Sequence, residues 1–377
     1  MHSAIVIGGG IIGASAAFHL ARDGVKTTLI DRADPGNATY AGAGIVAPGT
    51  AGDFPPATVE FTKHAVRYFP PLLELLQELG TPDPSYRVTG KLMIAMNEAE
   101  DARLEHVMKT LVQRRDDGMP NLGDLSWLTS AEARELFPPL AMIHHAIHVA
   151  GAARVDGNAL RNALVAGARH YGASTLTGSA ILDVHHAQSP AVTLDGERHE
   201  ADVVVLATGS WINDLLGPLD IELPVRPHRG QIVHLSLDET DTSEWPMVVP
   251  LDGKYILPFE PNRIVTGATQ EPDAGFDARP TAEGVHLVLH RALENAPGLA
   301  AATLDEVRVG LRPWSADGAP YLGAVPGAED VIVATGFGAS GLHLGPYAGL
   351  AISRLVQGAA QDTDLSPFRI DREISPS

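Results

Sequence analysis

Arg312 stands between Leu311 and Pro313 in "GLRPWSADGAPYLG", at the end of a β-branched run and just before a turn. A guanidinium at a strand end can make two parallel, charge-assisted hydrogen bonds to a carboxylate, fixing both the position and the plane of the acid. The other use of such a residue is an ion pair with an acidic neighbour, here Asp317.

A second pattern lies near the start, in "SAIVIGGGIIGASAAFHLARDGVKTTLIDR". Gly8, Gly10 and Gly13 have G-x-G-x-x-G spacing between a β-branched run and an amphipathic segment that ends at Gly24, and a second apolar run closes on Asp31. The order is strand, turn, helix, strand. The first glycine permits the tight turn, the second lets backbone approach a pyrophosphate, and the third lets helix pack on strand. The helix N-terminus then offers N–H groups to the anion, and Asp31 is placed to accept hydrogen bonds from a ribose. NAD and FAD both use this device. The small residues that follow in "NATYAGAGIVAPGT" suit a flat ring system lying against backbone.

A third group carries less weight. "MIHHAIHVAG" (142–151) holds three histidines, of which His145 and His148 are the candidate ligand pair, but the segment alternates as a strand does and contains no carboxylate to complete a set. No metal is expected. His185 and His186 read as a solvated strand end. Trp211 reads as packing, and Trp314, two residues beyond Arg312, as a candidate for the mouth of a site.

The elements that must hold these residues are legible in outline. "ADVVVLATGSWINDLL" (201–216) and "DVIVATGFGASGLHLGPYAGLAISRLVQG" (330–358) repeat the order of strand, glycine loop and helix, and with the N-terminal unit they form three pieces of one sheet. "RGQIVHLSLD", "KYILPFEPNRIVTGAT" and "TLDEVRVGLRPW" read instead as an antiparallel sheet, with "FEPNR" turning a hairpin between 254–259 and 263–269. Helices are expected near 57–79, 98–115, 130–136 and 281–295. The fold class is α/β, with a discontinuous cofactor domain (1–85, 146–222 and 318–377) and an inserted substrate domain (86–145 and 223–317).

Bulk properties narrow the function. A chain of 377 residues can bury a large core, and 45% hydrophobic against 19% charged residues is the balance of a globular protein. The net charge of −19 carries no basic tract, which argues against nucleic acid or an anionic membrane as partner. No apolar run is long enough to span a bilayer, the apolar start has no basic region before it, and the chain reads as cytoplasmic. Having no cysteine excludes disulfides, thiolate metal sites and cysteine nucleophiles. A small molecule is the expected partner, and a homo-oligomer is compatible with the composition.

On these motifs, together with "RVDGNALRNALVAGARHYGA" (154–173), "LATGSW" (206–211), "PVRPHRGQ" (224–231), "KYILP" (254–258) and "SPFRIDR" (366–372), the chain resembles the FAD-dependent D-amino acid oxidase family. Within that family it is most similar to bacterial glycine oxidases and sarcosine oxidase-like enzymes. The resemblance implies a Rossmann-like FAD-binding domain of the glutathione reductase type and an inserted α+β substrate domain built on an antiparallel sheet. It implies pyrophosphate and ribose contacts from Gly8, Gly10, Ile11, Ile12, Gly13, Asp31 and Arg32. Further cofactor contacts follow from Gly42, Ala43 and Gly44, from Val184, and from Thr208, Gly209 and Trp211. The last glycine-rich loop would contribute Gly338, Ser340, Gly341, Leu342, His343 and Leu344. The FAD would be non-covalent, since the chain has no cysteine and "TYAGAGIVAP" no histidine to tether it.

The same resemblance gives Arg312 the substrate carboxylate and places Tyr255 where the family has a tyrosine hydroxyl beside it; the plainer role for Tyr255 is a half-buried sheet tyrosine. Once the acid is held, catalysis becomes a matter of aiming the Cα–H at the flavin from about 3 to 3.5 Å, with no strong base required. The implied reaction is oxidative deamination of glycine, an N-substituted glycine or a small D-amino acid, with oxygen as acceptor and peroxide as product. A D-amino or imino acid dehydrogenase using another acceptor is the second reading, and a non-catalytic flavin-binding assembly protein the third. Two departures stand out. The strand "RIVTGAT" lacks the lysine that sarcosine oxidases use with oxygen, and Ala339 and Ser340 stand where glycine oxidases can carry an arginine.

Overall fold

A computed structural model describes residues 2–50, 55–183 and 190–373. Its helices are α1 (Ile11–Arg22), α2 (Pro56–Glu78), α3 (Glu98–Asp116), α4 (Ser130–Leu136), α5 (Gly157–His170), α6 (Ile212–Leu216), α7 (Ala282–Asn295) and α8 (Gly341–Gln357). No helix among the described residues is long and apolar enough to cross a membrane.

The first layer is a six-stranded sheet in the order Tyr321–Val325, Ala328–Thr335, Val203–Leu206, Ser3–Ile7, Lys26–Asp31, Ser174–Thr177. Every pairing is parallel except that of the edge strand Tyr321–Val325. The three repeated strand-loop-helix units are therefore neighbours in one sheet. Side chains of a strand alternate between faces, and here both faces are covered: Ala4 and Val6 enter one apolar cluster with α1, α5 and α8, while Ile5 and Ile7 enter another with α6 and the small sheet formed by Ala180–Asp183, Ala191–Leu194 and Glu197–Glu200. Small residues let α1 and α8 touch. A Cβ on Gly349 would lie 2.3 Å from the Ser15 hydroxyl, which itself donates to the Pro346 carbonyl at 2.7 Å.

The second layer is an eight-stranded sheet in the order Thr303–Ser315, Val225–Ser236, Arg263–Gly267, Tyr255–Phe259, Met247–Pro250, Lys91–Ala95, His145–Val149, Leu125–Thr129. It is antiparallel as expected but for one pair, Met247–Pro250 with Lys91–Ala95, which runs parallel. Those segments are far apart in sequence, so no turn dictates their direction. The expected hairpin is present, Tyr255–Phe259 pairing with Arg263–Gly267. His145–Val149 is hydrogen-bonded on both sides in this sheet, so the sheet extends past residue 146.

The longest strand brings the two layers together. Near its end, the Leu311 N–H donates to the Gly36 carbonyl at 2.8 Å, the Leu311 carbonyl accepts from the Ser210 hydroxyl at 2.9 Å, and Trp314 bridges to Phe337. Arg312 is thereby placed where the large antiparallel sheet meets the carboxyl ends of the parallel strands.

Candidate active site

A cleft of about 510 Å³ runs along those strand ends. Its wall at one end is the turn from Ile7 into α1. Gly8 has φ +102°, and a Cβ there would lie 2.3 Å from the Ala207 carbonyl oxygen; a Cβ on Gly13 would lie 1.8 Å from the Gly8 carbonyl oxygen. The glycines are required because backbone passes over backbone. Gly10 caps α1 without a side-chain bond, and the Ile11 N–H donates to Thr39 Oγ1 at 2.9 Å. Asp31 ends its strand against this turn. Its Oδ1 accepts from the Ala33 N–H at 3.2 Å, and Arg161 of α5 reaches both Asp31 Oδ2, at 3.4 Å, and the Gly9 carbonyl, at 2.7 Å. Arg161 lies in the quoted "RVDGNALRNAL" segment, but nothing in its spacing tied it to the turn.

Of the residues named from the sequence, Gly8, Gly10, Ile11, Ile12, Asp31 and Arg32 line the cleft, as do Gly42, Ala43 and Gly44, Thr208, Gly209 and Trp211, and Gly338, Gly341 and Leu342. Gly13 sits beneath the turn instead. Ser340, His343 and Leu344 do not line the cleft: Ser340 donates its N–H to Phe337 at 2.8 Å, and His343 and Leu344 are buried inside α8. Successive helical residues are rotated by about 100°, so the residues from Gly341 to Leu344 cannot all face one side. Burial holds His343 neutral, its pKa lowered to about 4. Val184 lies outside the described residues, as do His185 and His186.

At the other end of the cleft are Arg312, Tyr255 and Gly230. Gly230 lies diagonally across the strand pair from Arg312, and a Cβ on it would be 2.2 Å from the guanidinium, so the missing side chain makes the room in which Arg312 lies. Gly267 does the same for Tyr255, whose hydroxyl would be 2.8 Å from a Cβ there. Arg312 donates to the Thr269 carbonyl at 3.2 Å and has no carboxylate partner among the described residues. Asp317, the expected competitor, is taken by Arg372 at 2.8 Å. Tyr255 is half-buried, and the loss of water around its hydroxyl pushes its pKa up to about 12 against the opposing pull of Arg312, so the hydroxyl keeps its proton.

A network holds this corner that the sequence did not disclose. Glu271 accepts from Arg229 Nε at 2.9 Å and from Gln231 Nε2 at 2.7 Å, and it also accepts from the Thr269 hydroxyl. Thr269 Oγ1 in turn accepts from the Gln231 N–H at 2.9 Å, and the carbonyl of the same threonine accepts from Arg312. The "RGQ" of "PVRPHRGQ" is thus explained by a brace under the arginine. Beside it, His228 stacks on half-exposed Trp314 with ring centroids 4.9 Å apart; burial, then the charge of Arg312, lowers the His228 pKa.

The family model described as FAD dependent oxidoreductase matches residues 3–355. The chain belongs to this family of FAD-dependent oxidoreductases. It is 40% identical to the uncharacterized oxidoreductase YurR of Bacillus subtilis (strain 168), covering 98% of each chain. It is 31% identical to glycine oxidase of Pseudomonas putida, covering 97% of each. Among solved structures it is similar to iminodiacetate oxidase from Chelativorans sp. BNC1, with TM-score 0.93, 38% identity and coverage of 97% of this chain and 98% of that one. Glycine oxidase from Geobacillus kaustophilus superimposes with TM-score 0.89 at 28% identity over the whole of both chains.

The cleft of this FAD-dependent oxidoreductase fits its cofactor. The glycine turn leaves a cradle that any Cβ would fill, the N-terminus of α1 points at it, and Thr208 Oγ1 on the opposite wall is buried with no partner among the described residues. An orphaned buried hydroxyl beside a cleft calls for a ligand atom to satisfy it.

Proposed function

We propose that this enzyme oxidises the C–N bond of glycine-type substrates, favouring glycines that carry a substituent on nitrogen, and returns the electrons to oxygen as hydrogen peroxide. The observation that carries the reading is the Arg312 guanidinium, which faces the cleft beside a protonated Tyr255 and has no carboxylate partner among the described residues. FAD, when bound, takes up the two electrons released at the substrate Cα and passes them to the acceptor. Arg312 grips the substrate carboxylate through two parallel N–H donors, and Tyr255 adds a hydroxyl donor to the same acid. The acid is thereby fixed in position and plane, which leaves the Cα–H in a single orientation. The amine gives its proton to water before reaction, since among the described residues that line this end of the cleft only Arg312 and protonated Tyr255 are titratable.

The uncapped N-terminus of α8, with Gly341 and Leu342 on the cleft wall, presents N–H groups to developing negative charge. Loss of two electrons and two protons turns R–NH–CH₂–COO⁻ into the imine, which water splits into an amine and glyoxylate. Two findings favour a nitrogen substituent. Ala339 leaves an uncharged, short wall on the cleft, and iminodiacetate oxidase matches this chain at 38% identity and TM-score 0.93 against 28% and 0.89 for the glycine oxidase structure. Anaerobic stopped-flow bleaching of the flavin band by glycine, sarcosine, iminodiacetate and D-alanine tests the ranking. Fastest reduction by an N-substituted glycine is expected, and no reduction by any of the four would overturn the reading. A peroxide assay under air then decides the acceptor: dye-linked turnover without peroxide would make the enzyme a dehydrogenase.

A further inference from the structure

We propose that Asp101, His144 and His145 bind one divalent transition-metal ion of the zinc type, away from the cleft, tying the first turn of α3 to the strand His145–Val149. The run "MIHHAIHVAG" lacks a carboxylate of its own, but folding brings one from α3. It also changes the histidine pair: His144 and His145 converge, whereas His148 points its ring toward Gly90. Nδ1 of His144 and Nδ1 of His145 both meet the same oxygen, Asp101 Oδ2, the second at 3.0 Å. All three atoms lie within 4.8 Å of one another.

A tetrahedral zinc ion with bonds of about 2.0–2.1 Å sets its ligand atoms roughly 3.3 Å apart, so a small outward movement of the two rings admits the ion. The rings stand at 86° to each other, centroids 4.7 Å apart, so their nitrogens approach from different directions. Hydrogen bonds from two N–H groups would account for Oδ2 alone. They leave Asp101 Oδ1 buried without a partner among the described residues, and a cation set against the carboxylate satisfies both oxygens. Two imidazoles with one carboxylate select zinc, cobalt, nickel or copper over magnesium or calcium. The histidine side chains are 42% and 43% exposed, which gives an ion a way in and leaves a fourth position for water. None of the three residues lines the cleft, so the ion's role is mechanical.

The test is calorimetric titration of ZnCl₂ into EDTA-treated, FAD-loaded enzyme, followed by its thermal melt. One saturable site per chain and a raised Tm are expected, and Co²⁺ in its place should give the visible d–d absorption of a tetrahedral site. Asp101→Asn and His145→Gln should each weaken zinc binding by roughly 100-fold or more, since even an outer-shell partner is worth about 10–100-fold. Amine oxidation should be unchanged. The stacked pair His286 and His290 on α7 is the obvious rival for the metal, and the double variant His286→Gln/His290→Gln should leave binding intact. No saturable binding by the wild-type enzyme, or binding lost in that double variant and kept in Asp101→Asn, would overturn the proposal.

Discussion

Where the cleft runs along the six-stranded sheet its wall is backbone, whereas at the end of Thr303–Ser315 its wall is side chain. The turn at Gly8–Gly13 works through what is missing, since a Cβ on Gly9 would lie 2.5 Å from Asp31 and one on Gly13 1.8 Å from the Gly8 carbonyl. The Arg312 corner works through what is present: a guanidinium, a half-buried phenol, and the Glu271 brace beneath them. The first should fail when atoms are added and the second when they are removed.

The largest effect is expected from Gly13→Val. Overpacking costs about 1–3 kcal/mol and more where, as here, the obstacle is backbone, so the protein should be recovered with little or no flavin, read as the ratio of visible to ultraviolet absorbance. Arg312→Ala should do the reverse, keeping FAD while weakening substrate binding by roughly 2–5 kcal/mol, measured by anaerobic titration of the flavin band. Loss of flavin in Arg312→Ala would show that the two regions are not separable.

Acid should distinguish them next. His343 is buried and neutral, with a pKa of about 4 against 6.5 for the free side chain. The unfolded chain therefore binds the extra proton first. Stability from this group is fully present above about pH 6.5 and is lost progressively as pH falls toward 4, by about 2 kcal/mol at pH 5. In melts across that range the Tm of His343→Gln should fall less steeply than that of wild type. The smallest effect is expected from Glu271→Gln, which removes the charge but not the shape of the brace under Thr269. It should cost about 1 kcal/mol, seen as a raised KM with unchanged flavin content.

Much of the frame could be read before folding. The helices expected near 57–79, 98–115, 130–136 and 281–295 appear as α2, α3, α4 and α7 because their apolar spacing is local. The hairpin at "FEPNR" and the three strand-loop-helix units appear for the same reason. Within the glycine-rich loop the local signal reached its limit. Gly341 and Leu342 face the cleft while His343 and Leu344 turn into the core, a distinction set by how α8 rotates against α1.

The amino-acid order alone determined where strands and helices start, that a dinucleotide turn is present, and that an arginine stands at a strand end, because each of these depends on neighbours within a few residues. Tertiary structure decided which acid meets which cation. Asp317 went to Arg372, Glu271 to Arg229, Asp31 to Arg161 and Asp101 to His144 and His145, which left Arg312 without an acidic partner among the described residues. Charges attract over distances that chain separation does not record, and only packing of the two sheets brings such groups within bonding range.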